Sequence, residues 1–187
     1  MSEGFTDTQL ILAGSVVVAW LSRRPLRYPG SHGFYRFFAW EGILALYVVN
    51  REPWGMDPFS PHQMLSWLLL LASIVLAALG AAALRNHGTA AEARSDSALY
   101  DWEKTTALVT TGIFAHIRHP MYTSLLALAW GIFFQGPSWP GVAIAAVSSL
   151  FLGLTATADE RECLAWFGQS YADYMRRTPR RFVPGVF

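Results

Sequence analysis

The sequence predicts an all-α integral membrane protein of about five transmembrane helices, in which spans four and five form a hairpin and a cytoplasmic helix follows. Three observations carry that expectation. Only 14% of the residues are charged and 53% are hydrophobic, against about 25% charged in an ordinary soluble domain. The charges are missing from long stretches instead of being thinly spread: Leu65 to Leu84 is 20 residues without one, and Pro120 to Ala158 is 39. With the N-terminus outside, all of the 14 Lys and Arg residues except Arg51 fall on inner segments, which is the positive-inside pattern.

Taken in order, Thr8 to Ser22 is uncharged and forms the first span. A cleaved signal peptide begins with a basic region and ends at a small-residue site. Here Glu3 and Asp7 precede the apolar run and Arg23-Arg24-Pro25 follows it, so the segment is expected to remain. Phe37 to Asn50, carrying only Glu41, is the second span; both are short and rely on flanking Arg side chains that snorkel to the interface. Leu65 to Leu84 matches the roughly 30 Å of a bilayer core and completes a three-span unit, residues 1–84. Its run Gly80-Ala81-Ala82-Ala83 permits close helix packing and leaves room for a homodimer.

Residues 85–119 form a long polar connection that includes Arg94 and Lys104, and long connections in compact proteins tend to be functional or disordered. Residues 120–158 form the transmembrane hairpin, broken at Gln135-Gly136-Pro137-Ser138-Trp139-Pro140-Gly141. Residues 159–187 form a polar helix and tail, with no helix breaker before Thr178-Pro179 apart from Gly168. Positive-inside bias places both large polar segments on the cytoplasmic face, with the C-terminus inside.

Charge and cysteine content narrow the functions. A net charge of +1 offers no global field for nucleic acid, and no nucleic-acid partner is expected. One cysteine, Cys163, excludes an intramolecular disulfide and a four-thiolate metal site. His116 and His119 have a metal-like spacing but no third ligand nearby, so no metal is expected. Glu41 is ionisable within a span, by default a functional candidate: it lines an acceptor tunnel or pairs with Arg36 or a partner helix.

Chemistry concentrates in three groups. The first is Gly112-Ile113-Phe114-Ala115-His116-Ile117-Arg118-His119-Pro120-Met121-Tyr122. Pro120 suits the first turn of a helix, where its missing N–H is not needed. Arg118 then sits at the positive end of that helix, a natural place for a carboxylate or phosphate; Arg118 and His119 equally suit headgroup anchors. The second group, Asp159-Glu160-Arg161-Glu162, can bind an ammonium or act as a base, or is simply a solvated helix start. The third is Phe167-Gly168 with Tyr171 and Tyr174, then Thr178-Pro179-Arg180-Arg181-Phe182-Val183-Pro184. Glu160, Leu164, Phe167, Tyr171 and Tyr174 follow at steps of three or four and share a helix face. The arginines of the tail suit anchorage to anionic headgroups.

In order and spacing, these groups resemble the C-terminal signature of the membrane methyltransferases that include isoprenylcysteine carboxyl methyltransferases and phospholipid N-methyltransferases. The resemblance runs from Leu108-Val109-Thr110-Thr111-Gly112 through Arg118-His119-Pro120-Met121-Tyr122 to Asp159-Glu160, Phe167-Gly168, Tyr171, Tyr174 and Pro184. Phe114 stands where that family usually has Tyr, and Asp159 where the first of two Glu is usual, which weights Glu160 above Asp159.

The resemblance implies S-adenosylmethionine as methyl donor, S-adenosylhomocysteine as product and no metal. It implies Arg118 and His119 near the methionyl carboxylate, Glu160 near the amino group or a ribose hydroxyl, and Tyr122, Tyr171 and Tyr174 as pocket walls beside Pro120. Arg118, Glu160 and Glu41 are the candidates for direct roles in catalysis. The acceptor is then a lipophilic molecule entering from the membrane lipids: an isoprenylcysteine-type carboxylate, a phospholipid amine or a small thiol. Two other readings compete. Membrane sterol-type reductases using NADPH have a similar His-Pro-Asn-Tyr-like element, where this chain has Met121 and lacks the usual continuation at Thr123-Ser124. A non-enzymatic helical scaffold or transporter subunit predicts no nucleotide-sized cytoplasmic pocket.

Overall fold

The structure is a computed structural model describing residues 6–87 and 107–182. Most of the 85–119 connection, with Arg94 and Lys104, lies outside the described residues, as does Pro184. Within them every regular element is helical: α1 (Asp7–Leu21), α2 (His32–Val49), α3 (Pro61–His87), α4 (Pro120–Phe133), α5 (Trp139–Phe167) and α6 (Gln169–Arg177), with single 3-10 turns at Pro25–Arg27 and Gly112–Ala115.

Local chemistry sets the boundaries. Thr6 caps α1 reciprocally with Gln9, and Ser31 caps α2 by accepting from the Phe34 N–H. The expected break in the hairpin is shorter than the breaker cluster suggests. Ser138 caps α5 through the Gly141 N–H, so Trp139, Pro140 and Gly141 belong to the first turn of α5, where a proline costs no hydrogen bond. At the other end, the helix expected to continue toward Arg177 is divided. α5 runs unbroken from the apolar stretch through Asp159 and Glu160 to Phe167, and Gly168, at φ +55°, turns the chain into α6. Only glycine takes that conformation without strain.

The helix over Pro61–Asn86 and α5 are each long and apolar enough to cross a membrane, while α1 and α4 are apolar but shorter. Leu68, Leu71 and Ile74 of α3 are 62%, 59% and 68% exposed. A helix that turns apolar side chains outward as well as inward is expected of a membrane span.

Packing is dominated by two pairs, α3 with α4 and α2 with α5; α4 then meets α5 and α2, and α1 lies on α2. Gly42 lets α2 approach α5 so closely that a Cβ would overlap Ser148 Oγ. Gly80 likewise leaves space for Met121 at the start of α4, and Ala83 one turn on is buried. The small-residue run of α3 thus serves packing within the chain. One core cluster joins Ile43 and Leu46 to Ala129, Ile132, Phe133 and Ala145; a second joins Ala39 to Tyr122, Leu152 and Ala156. Away from the motif-bearing end, Gln63 Nε2 donates to the Gln135 carbonyl and Gln135 Nε2 to Ser66 Oγ, fastening the start of α3 to the end of α4.

Candidate functional site

The start of α2, the end of α3, the start of α4, the far part of α5 and α6 converge at one end of the bundle. They surround a cleft of about 880 Å³, its open mouth included. Pro120 opens α4 as its first-turn proline. The preceding Arg118 and His119 are held by the tail: their backbone N–H groups donate to the carbonyls of Arg180 and Arg181 at 2.9 and 3.0 Å. Thr123 Oγ1 donates to the Phe182 carbonyl at 3.0 Å, which extends the strap.

Beneath the strap lies a charge cluster. Glu160 accepts at Oε1 from Arg118 Nε at 2.8 Å and at Oε2 from Arg181 Nη2 at 2.5 Å. His119 Nε2 is 3.1 Å from Glu160 Oε1, and its Nδ1 is 3.5 Å from Asp159 Oδ2. Both imidazole nitrogens therefore face carboxylates. Burial works against the charged imidazolium, but hydrogen bonds to Asp159 and Glu160 and their negative charges outweigh it and hold the His119 pKa above its ordinary value. Tyr122 stacks on His119 with ring centroids 5.4 Å apart and donates its hydroxyl to Asp159 Oδ2 at 3.2 Å.

α6 supplies an aromatic wall. Tyr171 and Tyr174 are both buried, with centroids 5.7 Å apart, and Tyr174 donates to the Phe114 carbonyl at 2.7 Å. Burial raises the pKa of both hydroxyls above the usual tyrosine range, so they remain neutral. The residue at position 114 thus contributes its backbone carbonyl to the site, a contact that Phe makes as well as Tyr.

Of the residues singled out from the sequence, Arg118, His119, Pro120, Tyr122, Tyr171 and Tyr174 all line the cleft. Glu160 is brought among them but sits behind the lining, taken up by Arg118, Arg181 and His119, whereas Asp159 lines the cleft. Glu41 is not among the lining residues; its carboxylate accepts from Ser15 Oγ at 2.6 Å and joins α2 to α1. Leu164 does not share the buried face of Tyr171 and Tyr174, being 38% exposed, because Gly168 breaks the helical register between them. Arg181 folds back onto Glu160, and Arg176 pairs with Asp173. His116 is exposed and His119 buried.

Sequence reasoning missed several residues of the cleft, among them Leu84, Cys163 and, buried at 1% and 4% exposure, His32 and Arg36 of α2. The signal of His32 and Arg36 was a His and an Arg one turn apart at the start of an apolar helix, polar groups too costly to bury there without partners. His32 is paired with Glu162 of α5: its backbone N–H donates to Oε1 at 2.9 Å, and Nδ1 lies 2.6 Å from Oε2.

No curated protein matches the chain. A family model described as phospholipid methyltransferase matches residues 62–171. That match takes in α3, the Arg118–Tyr122 turn, Asp159, Glu160 and Tyr171, and extends over more than half of the 187 residues; the chain belongs to the phospholipid methyltransferase family.

Proposed function

We propose that the protein transfers the methyl group of S-adenosylmethionine to a lipophilic nucleophile reached from the bilayer. Its family is one of methyltransferases, which supplies the reaction class and a lipid-type substrate. The observation that carries the donor assignment is the meeting, in one cleft, of a cationic helix start, a carboxylate and an aromatic wall. When bound, S-adenosylmethionine supplies an electrophilic methyl on a sulfonium, together with an α-carboxylate, an α-ammonium, a ribose and an adenine. Arg118 and Arg181 gather with His119 around Glu160, and the helix N-terminus adds its own positive end. This suits the α-carboxylate. Asp159, lining the cleft where Glu160 does not, suits the ammonium, and Tyr122, Tyr171, Tyr174 and Phe114 offer surfaces for the adenosyl moiety.

The chain's residues act by holding donor and acceptor in line and by keeping water out, which converts a bimolecular displacement into a positioned one. We read α1 to α5 as five spans, with the N-terminus outside and the cleft at the cytoplasmic face. In support, the helix ends that surround the cleft alternate along the chain as antiparallel spans require. At the other end, Arg51 pairs with Asp7 at 2.5 Å.

Calorimetric titration of detergent-purified protein with S-adenosylhomocysteine tests the donor assignment. Micromolar binding is expected, lost in His119→Ala while the variant stays folded. Binding of NADPH in its place would move the protein to the reductase class.

A further inference from the structure

The strap 178–182 reaches the site from behind. None of its residues lines the cleft, yet its carbonyls accept one hydrogen bond after another from the turn that opens α4. The Thr178 carbonyl takes Arg118 Nη1 at 2.7 Å, the Arg180 and Arg181 carbonyls take the backbone N–H groups of Arg118 and His119, and the Phe182 carbonyl takes Thr123 Oγ1. Arg118 is thereby gripped from two sides, since its Nε and Nη2 each meet Glu160 Oε1 at 2.8 Å. A guanidinium is planar, and acceptors on different sides of its rim fix its plane. The strap's side chains add to this. Arg181, whose side chain is 35% exposed, shares Glu160 with Arg118, and the Phe182 ring lies 6.1 Å from that of His119 between centroids. Pro179 and Arg180 are exposed, so hydrogen bonds tie the strap more than buried apolar area does. Segments held in that way are the ones that open locally while a core stays folded. The strap follows the matched segment 62–171, so the family match does not carry it.

We infer that Arg181 and the strap that carries it are positioning elements of the donor site: Arg118 and His119 hold the geometry that receives the donor only while the strap is docked, so strap docking and donor binding favour one another. With the strap undocked, the Arg118 and His119 N–H groups lose their acceptors, Arg118 Nη1 loses the Thr178 carbonyl, and Glu160 keeps one guanidinium instead of two. The turn is then free to leave the arrangement that faces the cleft. A donor held by that turn holds the strap with it, because coupling of this kind is reciprocal.

This inference rests on the S-adenosylmethionine reading, and its experiment separates the two. Hydrogen exchange of the Arg118 and His119 amides reports strap opening directly, because the strap carbonyls are their acceptors. It is measured on full-length protein in nanodiscs, with and without S-adenosylhomocysteine, alongside calorimetric titration. Without ligand the two amides are expected to exchange faster than those of Leu152 and Ala156 in the core of α5. A ligand that binds only the docked form suppresses opening in proportion to its occupancy, so at a hundred times its Kd the two amides should slow by about 10²-fold. The Met56 amide, at the other end of the bundle, should be unaltered. Arg181→Glu sets a carboxylate against Glu160; it is expected to speed both amides and to weaken S-adenosylhomocysteine by about tenfold or more, with the α5 amides still protected, and Arg181→Lys to keep most of the affinity. Binding without slower exchange overturns the inference, as do amides that open no faster than the α5 core. Weaker binding in Arg181→Glu without faster exchange makes Arg181 a charge and not a positioning residue, and faster exchange at full affinity uncouples the strap from the donor; either result overturns it. If Arg181→Glu loses the protection of α5, the wild-type comparison alone decides, by the same slowing or its absence. Wild-type protein that does not bind S-adenosylhomocysteine removes the donor assignment beneath and this inference with it.

Discussion

Asp159 and Glu160 are neighbours in sequence and have different surroundings. Glu160 is 3% exposed and shared by Arg118 and Arg181, with His119 alongside, while Asp159 lines the cleft. Glu160→Gln leaves two guanidiniums without their counter-charge, and breaking a buried ion pair in this way costs about 3–5 kcal/mol. Its expected phenotype is a lowered melting temperature with secondary loss of binding. Asp159→Asn, which takes a carboxylate from His119 and Tyr122, is expected to lower the melting temperature less than Glu160→Gln does and to weaken S-adenosylhomocysteine by about tenfold or more, or ~1.4 kcal/mol. Calorimetry and thermal melting of both variants check this, and the reverse pattern would exchange the roles of the two acids. His119 sets a pH dependence with a definite sign. Its folded-state pKa is raised, so its contribution to stability is complete below the unfolded value of about 6.5 and is lost as pH rises through the folded value. The wild type is therefore expected to melt lower at pH 9 than at pH 6, and His119→Gln should flatten that slope; an equal slope in the two proteins would falsify the assignment.

At the scale of elements, the decisive feature is the turn that ends α5. Without Gly168 at φ +55° the helix would continue straight and would not bring Tyr171 and Tyr174 back against Phe114 and Val109. A Cβ at Gly168 meets nothing within 4 Å, so Gly168→Ala acts through backbone strain alone, at about 1–3 kcal/mol. The expected outcome is a lower melting temperature together with weaker S-adenosylhomocysteine binding, because the aromatic wall shifts with α6. A loss of stability with unaltered affinity would show that α6 is dispensable to the cofactor site. The tail is the second such element. It bonds to backbone groups just before α4, so the strap 178–182 and the start of α4 form one unit.

For the whole molecule, the alternation of helix ends and the distribution of arginines make one orientation testable. In a Cys163→Ser background, Met56→Cys lies in the loop between α2 and α3, where Met56 is 78% exposed, and Ser170→Cys lies on the exposed face of α6. A membrane-impermeant maleimide is expected to label the first only in right-side-out cells and the second only in inverted vesicles. Labelling of both from one side would remove the five-span topology without affecting the site.

The helical class, the location of the long apolar stretches, the first-turn place of Pro120 and the composition of the motif set were all legible along the chain. Each depends on local preference, on hydrophobic length or on residue order, quantities a linear string carries. The uneven fates of Asp159 and Glu160, the contact of Glu41 with Ser15 and the entry of His32 and Arg36 into the cleft were not legible. They depend on which helix faces meet. Helical phase can place neighbours on one face, but it does not say that α2 lies against α5, that Arg181 returns to Glu160, or that a carboxylate 130 positions away holds His32. Those facts follow from packing, where close approach at Gly42 and Gly80 and the turn at Gly168 decide which side chains share a cavity.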